Sequence, residues 1–463
     1  LSAPDAIVVG GGIAGVAAGL RLADAGLRVT LLETRRKLGG RATSFDDARS
    51  GLEIDNCQHV ALGCCTNYLD LCDRLGVGDH IDWQDTIHWY EAGGRRSELR
   101  AGLMPAPAHG LGSLLSAAFL SAPDKLALAR AMSSALQADR ARFADRPFAD
   151  WLTAHGQGER LIRRFWTPLI VSACNLPADR VSAAVMLHVL QEGMLASARA
   201  GEMGVPAVPL ARLYDPAERL LAASGGELRL GVGVARVTAT EVTTTAGETL
   251  TADHVVCAVP AERAARLVDP DLRRADPRFA ALDRVEHSPI LGVHLVLDRP
   301  VLPTPNAVLV DRPTHWLFRK DEAGARLHAV ISAADAWMDL DEPARVERVM
   351  HDVRACLTGA ADAEVVSARA VMEKRATFAS TPEFEAERPP AAGPSGLILA
   401  GDYTATGWPS TMEGATRSGY LAAAAVLGLD PADLLTPALR PAPLVRWFGG
   451  RTVRRQHLAR AGA

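Results

Sequence analysis

Gly10-Gly11-Gly12-Ile13-Ala14-Gly15 is the stretch on which the reading of the fold turns. Before it, Asp5 to Val9 is a short apolar run with the character of a buried strand. After it, apolar residues from Ile13 to Ala25 recur at helical spacing, and Leu27 to Leu32 reads as a second strand. A G-x-G-x-x-G turn says little alone, but between a strand and a helix of one βαβ unit it predicts a dinucleotide site. Gly10 permits the tight turn, Gly12 lets the backbone approach a pyrophosphate, and Gly15 lets helix and strand pack closely. The helix opening at Ile13 and Ala14 then directs its N-terminal amides at the anion. At the end of the second strand, Glu33 offers a carboxylate to ribose hydroxyls and repels a 2′-phosphate, which favours FAD or NAD over NADP.

The rest of the chain bounds what this unit belongs to. At 463 residues it exceeds what one core organises, so two domains are expected. No apolar run reaches the roughly 18 residues of a membrane span, and a formal net charge of −4 provides no broad basic field for nucleic acid. The first strand starts almost at once, leaving no room for a secretory leader, so the expected location is cytoplasmic. Of the seven cysteines, Cys57, Cys64, Cys65 and Cys72 crowd together without the paired spacing of a zinc site. They read as reduced packing residues, and no metal is expected.

Asp70 to Leu195 is mainly helical in pattern, with helix starts at Pro123-Asp124 and Ala178-Asp179. Glu227 to Cys257 alternates with period two and reads as strands returning to the first domain. Ile290 to Leu297, Ala307 to Val310, Trp316 to Arg319 and Leu327 to Ser332 predict an antiparallel sheet, with a helix over Glu342 to Leu357 packed on it, and Leu397 to Leu399 is a last buried strand. The expected fold class is α/β: a Rossmann-type domain from residues 1–69, 205–285 and 386–430, and an inserted substrate domain of helices (70–204) and antiparallel sheet (286–385). Residues 431–463 form a basic tail.

Directly after Glu33 comes Arg35-Arg36-Lys37-Leu38-Gly39-Gly40-Arg41. Here the chain resembles the FAD-dependent amine oxidases and polyene desaturases, which follow the ribose acid with Gly-Gly-Arg. The resemblance implies non-covalent FAD, with Gly39, Gly40 and Arg41 against the diphosphate. It extends to Val234, whose main chain would read the adenine edge, and to Gly401-Asp402, an acidic turn facing the ribityl and phosphate region. It extends also to Met412-Glu413-Gly414-Ala415, opening a helix whose amides would stabilise charge on the reduced flavin. No second glycine-rich turn is present, so electrons are expected from a substrate, a partner or a dissociating reductant.

Two features of the amine oxidases are missing: Thr411 stands where they carry an aromatic, and Ile290 to Leu297 holds no lysine. The run Asp55-Asn56-Cys57-Gln58-His59, followed by Gly63-Cys64-Cys65-Thr66-Asn67, resembles instead the hydroxysqualene dehydroxylases within the same superfamily. So do Phe165-Trp166-Thr167-Pro168-Leu169, Asn175-Leu176-Pro177, Ser288-Pro289-Ile290 and Trp316-Leu317-Phe318; Cys57 departs from the branch, which has glycine there. What this implies is reductive removal of an allylic hydroxyl from hydroxysqualene, giving squalene on a route to hopanoids. His59, with Asp55 orienting it, is the candidate acid. The alternative is that His59 and Gln58 only hydrogen-bond the flavin or nearby backbone. A polyene desaturase, an amine oxidase and a non-redox prenyl-lipid carrier remain competing readings.

A C30 substrate that scarcely dissolves in water calls for contact with a bilayer. After Asp433 the chain has no acid, while Arg440, Arg446, Arg451, Arg454, Arg455 and Arg460 accompany Leu444, Trp447 and Phe448. That mixture fits either an interfacial segment, peripheral on the inner face of the membrane, or a solvated tail. Leu111 to Leu136 fits either a membrane-side entrance or core.

Overall fold

The computed structural model describes residues 5–448. The strand Ala6–Val9 is wholly buried, as a near-continuous apolar run predicts for a strand covered on both faces. It lies at the centre of a five-stranded parallel sheet, with Val29–Glu33 and Glu227–Leu230 on one side and His254–Cys257 and Ile398–Leu399 on the other. The helix Ile13–Asp24 buries Ile13, Ala14, Val16, Ala17 and Leu20 against this sheet and the helix Met412–Leu427. A side chain at Gly419 would place its Cβ 2.4 Å from the Ala14 carbonyl, so this glycine sets how closely the two helices approach.

The stretch expected to return to the first domain divides. Glu227–Leu230 and His254–Cys257 join the parallel sheet, whereas Val234–Val237, Glu241–Thr244 and Thr249–Thr251 form an antiparallel sheet of their own.

A second large sheet has seven strands, in the order Val365–Phe378, His287–Leu297, Arg326–Ser332, Trp316–Arg319, Asn306–Leu309, Thr86–Tyr90, Arg96–Arg100. It is antiparallel except where Asn306–Leu309 runs parallel to Thr86–Tyr90. One face, with Leu291, Val293, Leu295, Leu327, Ala329 and Ile331, forms a core with Val349, Met350 and Val353 of the helix Glu342–Cys356. By strand alternation the opposite face carries Ile290, Gly292, His294, His328, Val330 and Phe318.

Three differences from the sequence reading have physical causes. The Asp70 to Leu195 region is not uniformly helical: Ile81–Gln84, Thr86–Tyr90 and Arg96–Arg100 are short strands, the last two a hairpin, and the strands that place them in sheets, Met203–Pro206 and Asn306–Leu309, lie far off in sequence. Val365–Phe378 is a full strand beside His287–Leu297, although its run of polar and small residues has no clear alternation. The helix expected at Ala178-Asp179 starts at Ala183, after a turn in which Arg180 and Val181 donate to the Pro177 carbonyl. The start at Pro123-Asp124 is close: the helix Ala122–Gln137 is capped by Ser121 in a reciprocal capping box with Asp124. Among the described residues, no helix is long and apolar enough to cross a membrane, and no His/Cys/Asp/Glu cluster could hold a metal ion.

Candidate cofactor and substrate site

The glycine loop leaves the carboxyl end of the central strand and turns into Ile13–Asp24. Gly10 has φ +109°, and a Cβ there would meet the Ala258 carbonyl oxygen at 2.6 Å; a Cβ on Gly15 would lie 1.9 Å from the Gly10 carbonyl oxygen. These two positions admit only glycine for reasons internal to the fold. Gly12 is different: its Cβ direction meets nothing nearer than the Gly40 Cα at 3.9 Å. The chain keeps this spot bare at the N-terminus of a helix, as a bound diphosphate requires. Gly39 and Gly40, at φ +100° and +60°, form a turn laid on Gly12, and the Gly39 amide donates to the Gly11 carbonyl at 2.9 Å.

Glu33 is buried, and its two oxygens accept from the amides of Gly11 and Arg35, both at 2.7 Å. The carboxylate thus braces the loop, and its unused lone pairs remain for further donors. The amide of Val232 donates to the Glu33 carbonyl at 2.9 Å, which brings the start of the Val234–Val237 strand alongside.

Arg41 reaches across the molecule. Its guanidinium pairs with Asp402 and donates to the Ala376 carbonyl at 3.1 Å. Asp402 is buried and also accepts from the Ser410 hydroxyl; burial alone would raise its acid, but the charge of Arg41 and the Ser410 hydrogen bond hold it below the ordinary range. Gly401 has φ +153°, and a Cβ there would strike the Tyr403 ring, while its amide donates to Ser418 Oγ at 2.9 Å. Sequence reasoning missed Arg388, which donates to the carbonyls of Asp402 and Trp408, each at 2.6 Å, and so clamps this turn. Its sequence context carries no motif that would have singled it out.

The helix Met412–Leu427 is capped by Thr411, whose hydroxyl accepts from the Gly414 amide at 3.0 Å. The first amides of this helix have no intrahelical acceptor, and Ala415 lies in its first turn. Glu413 does not face outward with them. Its carboxylate is fully buried and accepts from Asn67 Nδ2 and from the Tyr68 amide, both at 2.8 Å, because a buried carboxylate needs donors. The Glu413 carboxylate is a strut to the helix Thr66–Leu75, so the cofactor contact expected of this residue falls to its main-chain amide alone.

The Asp55 to His59 run crosses beneath the second face of the large sheet and buries it. His59 Nδ1 lies 3.1 Å from the Cys57 carbonyl, and burial lowers its pKa. Asp55 is not its orienting partner: Oδ1 accepts from Ser44 Oγ at 2.8 Å and from the Leu210 amide at 3.0 Å, and Oδ2 lies 3.6 Å from Lys320 Nζ. Asp55 ends the strand Leu52–Asp55 with its side chain turned to these groups, and that direction is invisible in spacing alone. Gln58 donates to the His59 carbonyl at 3.1 Å and accepts from Lys320 Nζ at 3.2 Å. Lys320 was overlooked because it follows the Trp316–Arg319 strand and not Ile290 to Leu297, where a lysine was sought. The Cys57 thiol, buried, is pushed up to about 12. It packs with Val205, Phe318 and Val330, flanked by Val60, Ile290 and Trp316, in an apolar patch between this run and the sheet.

The profile of the family described as "Flavin containing amine oxidoreductase" matches residues 13–427. The chain is 30% identical to the hydroxysqualene dehydroxylase of Sinorhizobium fredii, over 90% of this chain and 96% of that protein. It is 24% identical to the 15-cis-phytoene desaturase of Narcissus pseudonarcissus, over 91% of this chain and 79% of that one. Among solved structures it shares its fold with an oxidoreductase from Methanosarcina mazei, with a TM-score of 0.70 and 18% identity over 91% of this chain and 99% of the other. The bare Gly12 cradle, the braced Glu33 and the Arg41–Asp402 bridge are compatible with such a cofactor. With the fold, the loop chemistry and the likeness over nine-tenths of its length in agreement, the chain belongs to the flavin-containing amine oxidoreductase family and is an FAD-dependent oxidoreductase.

Proposed function

We propose that this protein reduces hydroxysqualene to squalene, replacing an allylic hydroxyl by hydrogen. The observation that carries the reading is the 30% identity to hydroxysqualene dehydroxylases along nine-tenths of the chain. The apolar patch of Cys57, Val205, Phe318 and Val330 supports it, because a polyisoprenoid needs a wall that excludes water. Gly10, Gly12, Ile13, Ala14, Gly15, Gly39 and Gly40 cradle the diphosphate of FAD. Glu33 and Val234 take the adenosine end, while Arg41, Asp402, Gly401 and the first turn at Met412 and Ala415 border the other half. The nucleotide fold is thereby assembled from the three separated segments 1–69, 205–285 and 386–430. Reduced FAD, when bound, supplies a hydride equivalent.

The chain's own residues do the rest. His59 Nδ1–H is spent on the Cys57 carbonyl, so Nε2 is the atom that takes up a proton from solvent and, from the imidazolium so formed, passes it to the departing hydroxyl, which leaves as water; burial, by lowering the pKa, makes that imidazolium the stronger acid. Gln58 and Lys320 keep the run around His59 in place. The balance is one C–O bond broken, one C–H bond formed, one hydride and one proton consumed. Mixing photoreduced enzyme with hydroxysqualene under anaerobic conditions should reoxidise the flavin and yield squalene. Reduction of the oxidised enzyme by a hydrocarbon polyene, with no reaction of the alcohol, would establish desaturation instead, the reading favoured by the likeness to phytoene desaturase. A colourless purified protein would establish the lipid carrier.

A further inference from the structure

The face of the large sheet turned toward Asp55 to Val60 changes character along its length. At one end a cleft of about 160 Å³ opens among Asp55, His294, Lys320, Arg326 and Arg369, with Ile54 and Val296 between them, a mouth of mixed charged and apolar character. Farther along the same strands come Ile290, Val330, Trp316 and Phe318, the apolar patch with Cys57 and Val205. Between the two stands His328. It pairs in register with His294 on one neighbouring strand and with Phe318 on the other, two residues before Val330.

His328 is fully buried, and neither of its ring nitrogens has a hydrogen-bond partner. That is a rare condition for an imidazole, and a costly one unless something outside the chain completes it. The surroundings hold the ring where it is. The His294 ring stacks on it with centroids 3.8 Å apart, and His294 is itself anchored by Nε2 to the Asp55 carbonyl at 2.8 Å. Gly292 makes room: a Cβ there would come within 2.7 Å of His328 Nε2 and 3.4 Å of the Asn56 carbonyl oxygen. The chain thus leaves out a side chain beside an unpaired nitrogen, at the edge of the apolar patch and next to the run that carries His59. Burial lowers its pKa well below the ordinary histidine value, so the ring is neutral, with one nitrogen to donate and one to accept.

We propose that His328 grips the oxygen atom of a substrate laid against this apolar patch, and so makes the site select a hydroxylated polyisoprenoid over the bare hydrocarbon. The inference rests on the dehydroxylation reading and deepens it. A hydrocarbon against the patch leaves His328 unpaired, whereas an alcohol oxygen both accepts from and donates to imidazole. Discrimination of this kind is large, because the loss falls on a buried polar group left without a partner. It also explains how the product leaves: once the hydroxyl has gone, the contact that held it has gone too.

The test uses the oxidised, FAD-loaded enzyme, in which no turnover occurs. Hydroxysqualene and squalene are titrated from mixed micelles, and binding is followed by the flavin absorbance shift and by tryptophan fluorescence. The wild-type protein should bind the alcohol about tenfold or more tightly than the hydrocarbon. In His328→Leu the alcohol should weaken by about that factor while the hydrocarbon binds as before or better; His328→Asn should restore part of the preference. Gly292→Ala, which drives the ring from its place but keeps the imidazole, should also lose it. Flavin content and Tm establish that each variant is folded, and Gly292→Ala serves should His328→Leu not fold. A His328→Leu or Gly292→Ala protein that keeps the wild-type ratio, or a wild-type protein that shows no preference, overturns the assignment. Failure of the dehydroxylation reading is seen separately, as a photoreduced wild-type enzyme that makes no squalene.

Discussion

Substituting Gly12→Ala separates the glycines that serve the fold from the one that serves a ligand. Gly12 has φ −72° and ψ 176°, backbone that alanine adopts without strain, and a Cβ there meets only the Gly40 Cα at 3.9 Å. The apoprotein should therefore lose nothing, and should gain about 0.4–1 kcal/mol from the reduced freedom of the unfolded chain. The new methyl stands where the diphosphate must approach. Overpacking of that kind costs about 1–3 kcal/mol, which raises the Kd for FAD about 5- to 150-fold. At an FAD concentration about a thousand times the wild-type Kd, bound flavin stabilises the wild-type protein by about 4 kcal/mol; the variant at the same concentration gains only about 1–3 kcal/mol. Calorimetric titration of flavin-stripped protein, and thermal melts with and without FAD, measure both quantities. Gly15→Ala is the contrast: its Cβ would fall 1.9 Å from the Gly10 oxygen, so the apoprotein itself should be destabilised. A Gly12→Ala protein that binds FAD with wild-type affinity, or whose apo form melts well below the wild type, refutes the reasoning.

Three more outcomes follow from geometry. Arg278 and Asp276 form a buried pair at 2.6 Å, and Arg278 also donates to Leu397 just before the last sheet strand, so Arg278→Leu should destabilise by about 3–5 kcal/mol in urea unfolding. Arg278→Leu combined with Asp276→Leu should recover part of that; a single variant within about 0.5 kcal/mol of wild type contradicts it. Burial lowers His294 and His315 from 6.5 to about 4, so below pH 6.5 the unfolded chain takes up protons that the folded chain refuses, and stability is lost as pH falls. From pH 7.5 to 5 each should remove about 2 kcal/mol, with Glu413, whose acid burial raises, working in the opposite sense; a Tm that holds steady over this range counts against the burial. Trp447 and Phe448 are 70% and 52% exposed at the end of the helix Pro443–Phe448, whose Val445 is packed in the core, and the arginines from Arg451 onward lie outside the described residues. Replacing both aromatics by serine and removing residues 449–463 should abolish flotation with anionic liposomes, and undiminished binding by that protein would leave the tail without a membrane role.

How far the site could be read from sequence depended on the range over which its physics acts. The glycine loop, the acid at the end of the second strand and the Gly39-Gly40 turn lie within one βαβ unit, where local sterics leave few alternatives. Gly401-Asp402 and the Thr411-capped helix were legible as a turn and a helix start for the same reason. The burial of the Glu413 carboxylate against Asn67 and Tyr68 was not legible, because helical spacing does not say which neighbour a first-turn acid faces. Asp55 was paired with His59 by proximity in sequence, whereas the strand carrying it sends its carboxylate to Ser44 and Leu210.

By itself the sequence determined that a dinucleotide loop exists, that a sheet alternating in period two accompanies it, and that the chain carries the Asp55 to Asn67 run of one branch of the family. These follow from φ/ψ restrictions and side-chain periodicity, which act over a few residues. Only the tertiary structure decided which strands share a sheet and which face of that sheet meets the Asp55 to Val60 run. It alone brought Lys320 to Gln58, Arg41 to Asp402, and an unpartnered His328 over Gly292. Those contacts join residues tens to hundreds of positions apart, and they are selected by the burial and pairing of the whole chain at once, which no local pattern encodes.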